Sequence, residues 1–457
     1  MREFRLVQGH QVGTAARALF PDGRLIGTAD DPLAALEATR DGLSAQPPVP
    51  LFEAAFAHAG VRVRADLLLP ERGRWVLAEV KSSSGIREHQ LDDVAIQRWV
   101  LGASGLELAR AQLWHVDTRW TYAGDGDYSG LFNRVDVEAE TLARAPRIAA
   151  AAAQAQPMLA GPEPRIATGA HCDQPFACPF QDHCASAPAP QPRYPVTLLP
   201  HNKGKRLAAE LLAEGYADLR EVPAARIRDP ELSMIHRVTR SGRAHLDPAA
   251  RALIGSLPYP RAFLDFETVA LAVPRWAGTR PYEQIAFQWS CHVQHGDGTV
   301  RHGEYLDASG QDPRRGCARA LVQTLPCDGP ILVYNAPFER GVLQQLARFA
   351  PDLARPLHAA AERLVDLLPV VRDHYYHRDM LGSRSIKRVL PTLGNGLDHA
   401  ALDEVADGAG AQLAYLEAID TATRPARRAE LERKLGRYCA LDTEALLALA
   451  QFLGSAR

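Results

Sequence analysis

The chain has 457 residues, 46% of them hydrophobic and 23% charged, enough apolar mass for two or three domains and too much for a disordered polymer. Its 52 basic residues are balanced by 54 acidic ones, a formal net charge of -2, which excludes the strongly basic footprint of a protein that coats nucleic acid. A nuclease is not excluded, because acidic metal sites offset basic grooves. No apolar run reaches membrane-spanning length and no charged-then-apolar leader opens the sequence, so a soluble, cytoplasmic protein without a membrane partner is expected.

In chain order, residues 1–185 read as mixed α/β. An entry strand or loop and then a helix are expected over 4–20, a turn at Pro21-Asp22-Gly23, a helix over 31–42 and a Pro-rich break over 44–50. A short segment, 51–58, carries Glu53. Apolar runs at 61–69 and 75–82 then flank Pro70-Glu71-Arg72-Gly73-Arg74, a hairpin signal. Asp66 lies on its first strand, and Glu79 and Lys81 share one face of the second, since strand side chains alternate. Two carboxylates to hold a cation and a lysine to position or deprotonate water make up a metal-dependent phosphodiesterase. A surface hairpin with an ordinary Glu/Lys pair is the plainer alternative. A helix over 92–101 follows, with Gln97 on it.

Cys172, Cys178 and Cys184 cluster with five residues between successive thiols, whereas the other four cysteines are scattered. In a cytosolic chain such a trio points to metal before disulfides. Four prolines mark 186–195 as a linker, and 196–258 is helical and moderately basic. A backbone-gripping helix-hairpin-helix and a plain helical spacer both fit that stretch.

Residues 259–457 form the last domain. Asp265 and Glu267 sit two apart on an apolar strand and so share a face, as a metal pair or as a solvated acidic edge. Alternating apolar residues from Ile285 to Val293, a His295-Gly296-Asp297-Gly298 turn and a return to Tyr305 predict a second hairpin. A helix near 314–323 and a strand at 330–334 lead to Asn335-Ala336-Pro337-Phe338-Glu339, which places Glu339 in a helix's first turn just past a strand end. Asp366 follows another short apolar run. On a last helix over 426–452, Tyr438 and Asp442 are i and i+4 and share one face.

The stretch Arg64-Ala65-Asp66-Leu67-Leu68, then Ala78-Glu79-Val80-Lys81-Ser82-Ser83, then the Gln97 helix resembles the RecB-like branch of the PD-(D/E)XK nucleases. The resemblance implies that Asp66 and Glu79 ligate metal, that Lys81 is catalytic, that Gln97 lies near the site and contacts substrate, and that Glu53 is the helix acid many members add. His10 stands out of step with the branch's early histidine, and Leu101 replaces a tyrosine. Iron–sulfur members carry a similar cysteine trio plus a fourth cysteine near the N-terminus, but no cysteine precedes Cys172 here. An iron–sulfur cluster, a zinc ion with a histidine, and metal-free thiols all stay open.

Asp265-Phe266-Glu267, Asn335 to Glu339 and Tyr438-x-x-x-Asp442 together resemble the tyrosine-bearing DEDD exonucleases of DnaQ-like, ribonuclease-H-type fold. That resemblance implies a two-metal 3′→5′ exonuclease using Mg²⁺ or Mn²⁺, with Asp265, Glu267, Glu339 and Asp442 as ligands and Tyr438 orienting water. Its second motif ordinarily ends in Asp, so either Glu339 or Asp366 completes the set. Lys387 and Arg388 are candidate contacts to the substrate backbone, with an ordinary surface salt bridge as the plainer alternative for either. The pairing of these domains resembles a bacterial two-nuclease family in which the 265–268, 282–285 and 385–391 motifs recur. The overall expectation is an α/β multidomain nuclease: a restriction-endonuclease-like domain (1–185), a small helical middle segment, and a ribonuclease-H-like exonuclease domain (259–457). Its partner is nucleic acid, DNA in preference to RNA. The rival reading is a nucleic-acid-binding scaffold with one or both sites inactive.

Overall fold

A computed structural model describes residues 2–27, 31–185, 192–398, 402 and 404–455. The chain divides into two compact units, Met1–Pro188 with Ala270–Glu283, and Ala189–Val269 with Gln284–Arg457. No helix among the described residues is long and apolar enough to cross a membrane.

Unit 1 runs α1 (Arg2–Ala18), β1 (Arg24–Leu25), α2 (Pro32–Leu43), β2 (Leu51–His58), β3 (Val61–Glu71), β4 (Arg74–Lys81), α3 (Glu88–Ala103), β5 (Leu108–Val116), β6 (Phe132–Asp136), α4 (Glu138–Ala160) and α5 (Gln181–Cys184). The strands form one mixed sheet in sequence order, with β1–β2 and β4–β5 parallel. The expected hairpin is β3–β4, closed by Arg72 and Gly73, both at positive φ (49° and 80°), as a two-residue primed turn demands. Ala59 and Gly60 close β2–β3 in the same way.

Two expectations change here. The stretch read as an entry strand or loop is helical from Arg2, because Val12, Ala15 and Ala16 form a helical stripe buried against Leu67, Ala78 and Trp114. Glu53 stands on a strand, not a helix, and its φ of 55° interrupts the ladder between the Phe52–Leu67 and Ala54–Ala65 pairs.

The segment Ala270–Glu283, far along the chain, is built into unit 1. Ala272 is fully buried with Val12, Ala16 and Trp114, and its N–H donates to Gln8 Oε1 at 2.5 Å. Tyr128 Oη donates to the Pro274 carbonyl at 3.1 Å. Gly278 N–H donates to the Tyr122 carbonyl at 2.8 Å, and Tyr122 N–H to that of Thr279 at 3.0 Å. The Tyr282 hydroxyl donates to the carbonyl of Ser82, next to Lys81.

Unit 2 runs α6 (His201–Ala213), α7 (Pro230–Ser241), β7 (His245–Leu246), α8 (Ala249–Gly255), β8 (Arg261–Ala270), β9 (Gln284–Gln294), β10 (Val300–Leu306), α9 (Arg314–Thr324), β11 (Ile331–Val333), α10 (Ala336–Phe349), α11 (Ala354–Glu362), β12 (Leu364–Asp366), α12 (Leu367–His374), β13 (Tyr375–Tyr376), α13 (Ile386–Val389), α14 (Gly408–Ala418) and α15 (Pro425–Gly454). Its main sheet has the order β10-β9-β8-β11-β12, with β8, β11 and β12 parallel and β9–β10 antiparallel. Ala262, Leu264 and Phe266 pack one face of β8 against α9, α10 and α11. Phe263 packs the other face with Leu446 and Leu449 of α15.

The middle segment does not stand apart. Val196, Leu211, Ile235 and Val238 share a core with Phe263 and Leu332 of the sheet. Of the expected linker, 186–191 lies outside the described residues, and Tyr194 is buried with its hydroxyl 3.0 Å from Asp379 Oδ1.

Ala272→Asp would place a charge in a fully apolar site of unit 1. The intact variant is expected to lose at least about 3 kcal/mol in unit 1, read as faster hydrogen exchange across α1 and a lower urea midpoint.

Candidate functional site

In unit 2 the chain leaves β8 for β9 and β10 on one side of the sheet and resumes at β11 and β12 on the other. Such a switch of direction opens a crevice at the carboxyl ends of the parallel strands. The β8–β11 ladder ends at Phe263–Leu332, so Asp265 and Glu267 lie beyond it, on the face that Phe263 shares with α15. There Asp442, on α15, meets them. Carboxylate oxygens of Asp265, Glu267 and Asp442 all lie within 4.8 Å of one another. Among the described residues this is the one group of three or more acidic, histidine or cysteine side chains so gathered.

Glu339 lies in the first turn of α10, as its position after β11 predicts. It is 1% exposed, and its Oε2 has neither solvent nor a hydrogen-bond partner. It is not within the 4.8 Å group, but its charge bears on Asp265. Asp366 is otherwise engaged. Its Oδ1 accepts from the N–H groups of Asn335 and Leu368 at 2.9 Å each, and its Oδ2 from Ala336 N–H at 3.0 Å. Asp366 thus caps α12 and anchors the start of α10, where Asn335 sits at φ 81°. Of the two acids considered for the fourth position, Glu339 keeps an unsatisfied oxygen, whereas Asp366 holds the backbone that places it.

Tyr438 lies one turn before Asp442 on α15, and Lys387 Nζ donates to its hydroxyl at 3.1 Å and to the Ala406 carbonyl at 2.8 Å. Arg388 lines, with Lys387, His377 and Asp379, an open cleft of about 760 Å³. Thr443, beside Asp442, fastens α15 to the sheet. Its hydroxyl is hydrogen-bonded to Ser290 Oγ at 2.7 Å and to His292 Nδ1 at 2.8 Å, while Ser290 also meets His302 Nε2 at 2.9 Å. Gln288 Nε2 donates to the Leu435 carbonyl at 2.8 Å. Burial, then the neighbouring His302, brings His292 down to about 4, so it is a neutral part of this catch.

Burial raises the Asp265 carboxyl well above the usual range, reinforced by Asp442, Glu267 and Glu339 and opposed by Lys387. Burial, then Asp442, pushes Glu267 up to about 8, and burial also lifts Glu339 to about 8. Converging carboxylate oxygens and an orphaned carboxylate oxygen nearby form a hard-oxygen donor set that could hold a metal ion.

Unit 1 builds its own cluster where strands fork. The β3–β4 ladder reaches Leu67–Ala78 and stops, while β4 stays paired with β5 as far as Lys81–His115. Asp66 Oδ2 takes the freed Val80 N–H at 2.8 Å. Glu79 accepts from Lys81 Nζ at 2.6 Å and from Gln97 Nε2 at 2.8 Å, and Lys81 Nζ also donates to Asp93 Oδ2 at 2.5 Å. Asp66, Glu79, Lys81 and Gln97 are therefore brought together. Asp93 was not foreseen, although it precedes Gln97 by one helical turn on α3 and so shares its face. Burial lifts Asp66 to about 6 and Glu79 to about 8, the latter also through Asp66. Burial alone would lower the Lys81 ammonium, but Glu79 and Asp93 outweigh it and leave it raised.

The cysteine trio is not gathered in this way. Cys172 is buried in a short turn, Cys184 ends α5, and the three thiols do not form a shared ligand set within 4.8 Å.

A family model described as a domain of unknown function, DUF2779, matches residues 262–385, less than half of the chain. It spans Asp265, Glu267, Glu339 and Asp366 and stops before Lys387, Tyr438 and Asp442. No curated protein and no solved structure matches the chain.

Raised carboxyl pKa values carry a stability consequence. In the folded chain Glu79, Glu267 and Glu339 hold protons up to about pH 8, which the unfolded chain releases near pH 4.5. The stability this contributes is complete below about pH 4.5 and is lost as pH rises through about 8. In chelator, the unfolding temperature is expected to fall between about pH 5 and pH 8, and Mn²⁺ added at pH 8 to restore it, measured by scanning calorimetry.

Proposed function

We propose that the chain is a metal-dependent nuclease whose unit 2 is a ribonuclease-H-like 3′→5′ exonuclease and whose unit 1 holds a second, PD-(D/E)XK-type site. The observation that carries this reading is the convergence of Asp265, Glu267 and Asp442, with buried Glu339 beside Asp265 and Tyr438 one helical turn from Asp442. Mg²⁺ or Mn²⁺ held by these carboxylates supplies Lewis acidity toward the phosphate and lowers the pKa of water.

The protein's own groups do the rest. Tyr438 offers its hydroxyl to the attacking water, and Lys387 fixes it by occupying a lone pair, leaving the O–H directed away from the ammonium. Lys387 and Arg388 face the phosphate backbone from the adjoining cleft. The acidic face repels a strand that lacks its counter-cations, so productive binding requires the cation. A strand of DNA is the substrate this reading favours.

Unit 1 supplies Asp66 and Glu79 as cation ligands and Lys81 as the group that positions water. One observation favours a non-catalytic reading of this unit alone: Lys81 is bound on both sides by carboxylates, with its ammonium form strengthened. A lysine so held serves as a fixed charge and not as a proton acceptor. Unit 1 would then grip nucleic acid without cutting it.

The test is hydrolysis of end-labelled single-stranded DNA and RNA with Mg²⁺ or Mn²⁺. Asp265→Asn or Asp442→Asn is expected to lower exonucleolytic release about a thousandfold, and Tyr438→Phe about a hundredfold. Wild-type rates in either aspartate variant would refute the assignment. Lys81→Ala is expected to abolish any cleavage that survives Asp265→Asn while leaving binding intact. If no cleavage survives Asp265→Asn in the first place, unit 1 is the gripping module.

A further inference from the structure

We infer that unit 1 carries a phosphate cradle for a nucleic-acid strand, formed by Arg17 and Arg64 in the cleft that leads to Asp66. The inference rests on the nucleic-acid reading of that unit and assigns a ligand group to side chains with no role in it so far. The cleft, about 570 Å³, is walled by Gly9, His10, Gly13 and Arg17 of α1 and by Glu53, Arg64 and Asp66 of the sheet.

One wall is open by construction. Gly9, Gly13 and Arg17 follow one another at i+4 intervals and share a helix face. A Cβ on Gly9 would meet nothing within 4 Å, and one on Gly13 only Arg17 Nη1, at 3.7 Å. The helix therefore presents bare backbone beside a guanidinium, with room for a sugar–phosphate chain to approach.

Between the two walls an anion already lies between two cations. Arg17 Nη1 lies 3.5 Å from Glu53 Oε1, and Arg64 Nε lies 3.5 Å from Glu53 Oε2. Both separations exceed the roughly 2.7–2.9 Å of a charge-assisted hydrogen bond. The three side chains keep 28%, 34% and 31% of their surface exposed, where such pairs are weak. The guanidinium groups are nonetheless held in place: Arg17 Nη2 donates to Thr14 Oγ1 at 3.0 Å, and Arg64 Nη2 to the Ile26 carbonyl at 3.2 Å. Two aimed but weakly used forks around one carboxylate match the two non-bridging oxygens of a phosphate, which binds guanidinium bidentately. Glu53 occupies that place in the resting chain and lines the cleft together with Asp66.

Internal phosphodiesters and terminal phosphates share this chemistry, and both enter the test. Binding of fluorescein-labelled single-stranded oligonucleotides to the full chain is measured by anisotropy in EDTA, with and without terminal phosphates, across a range of salt. Arg17→Gln and Arg64→Gln are each expected to weaken binding about tenfold and to reduce the salt slope by about 0.7. Gly9→Leu, which changes no charge and favours the helix, is expected to weaken binding about tenfold by filling the cleft. Loss confined to phosphorylated ends assigns a terminal phosphate, and loss on every oligonucleotide assigns an internal one. Unchanged affinity and slope in the Arg17→Gln/Arg64→Gln double variant would overturn the cradle, and unchanged affinity in Gly9→Leu would overturn its placement in this cleft. No divalent ion is present, so the result is independent of hydrolysis: a chain that cuts with metal yet binds indifferently to these changes fails the cradle alone.

Discussion

Like charge confined to a small buried volume is the constraint to which unit 2 is fitted. Asp265, Glu267 and Asp442 bring their oxygens within 4.8 Å of one another, where two full charges repel by on the order of 4 kcal/mol even at a moderate effective dielectric. Only rigid support from both sides holds such groups together. Phe263 and the α15 leucines pack behind the acidic face, and the Thr443–Ser290–His292 catch keeps the helix from backing away. Asp366 does the equivalent for Glu339 by binding the N–H groups of Asn335 and Ala336 at the start of α10. The packing is thus arranged around a charge imbalance that protons relieve in part and that a bound cation would relieve further.

Unit 1 meets the same difficulty in another way. Glu79 has a cation of its own in Lys81, and Asp93 and Gln97 close the set into a network. Its resting state is therefore closer to satisfied than that of unit 2, where Lys387 reaches the tyrosine and only moderates the carboxylates. A cation entering unit 1 must loosen the contacts of Lys81 as well as displace the Glu79 proton, whereas one entering unit 2 displaces protons alone. Two acidic clusters of similar composition are poised differently for that reason.

Local spacing carried most of what was legible in the sequence. Asp265-x-Glu267 on a strand, Tyr438-x-x-x-Asp442 on a helix and the 61–82 hairpin each follow from one periodicity, and each element stands where expected. Roles set by partners distant in the chain were not legible. An aspartate after a short apolar strand reads alike as ligand or cap, and only the N–H groups of Asn335 and Ala336 decide for Asp366. The apolar faces of 196–258 look like a spacer until Phe263 and Leu332 are seen to complete their core. Glu53 stands on a strand where the resemblance implied a helix, and its left-handed φ leaves no trace in the hydrophobic pattern. The cysteine spacing, suggestive by itself, does not bring the three thiols within 4.8 Å of one another, as ligands of a single ion would be.

The docking of Ala270–Glu283 in unit 1 gives the chain an unusual connectivity. It crosses between units at 188–189, again at 269–270 and again at 283–284. A protease that nicks the Pro-rich stretch before Tyr194 would cut only the first of these crossings. The carboxyl-terminal piece would keep a peptide whose native place is beside Gln8, Tyr122 and Ser82, so the nicked halves remain associated as complementary fragments. Strand β8, which bears Asp265 and Glu267, runs straight into that peptide at Ala270.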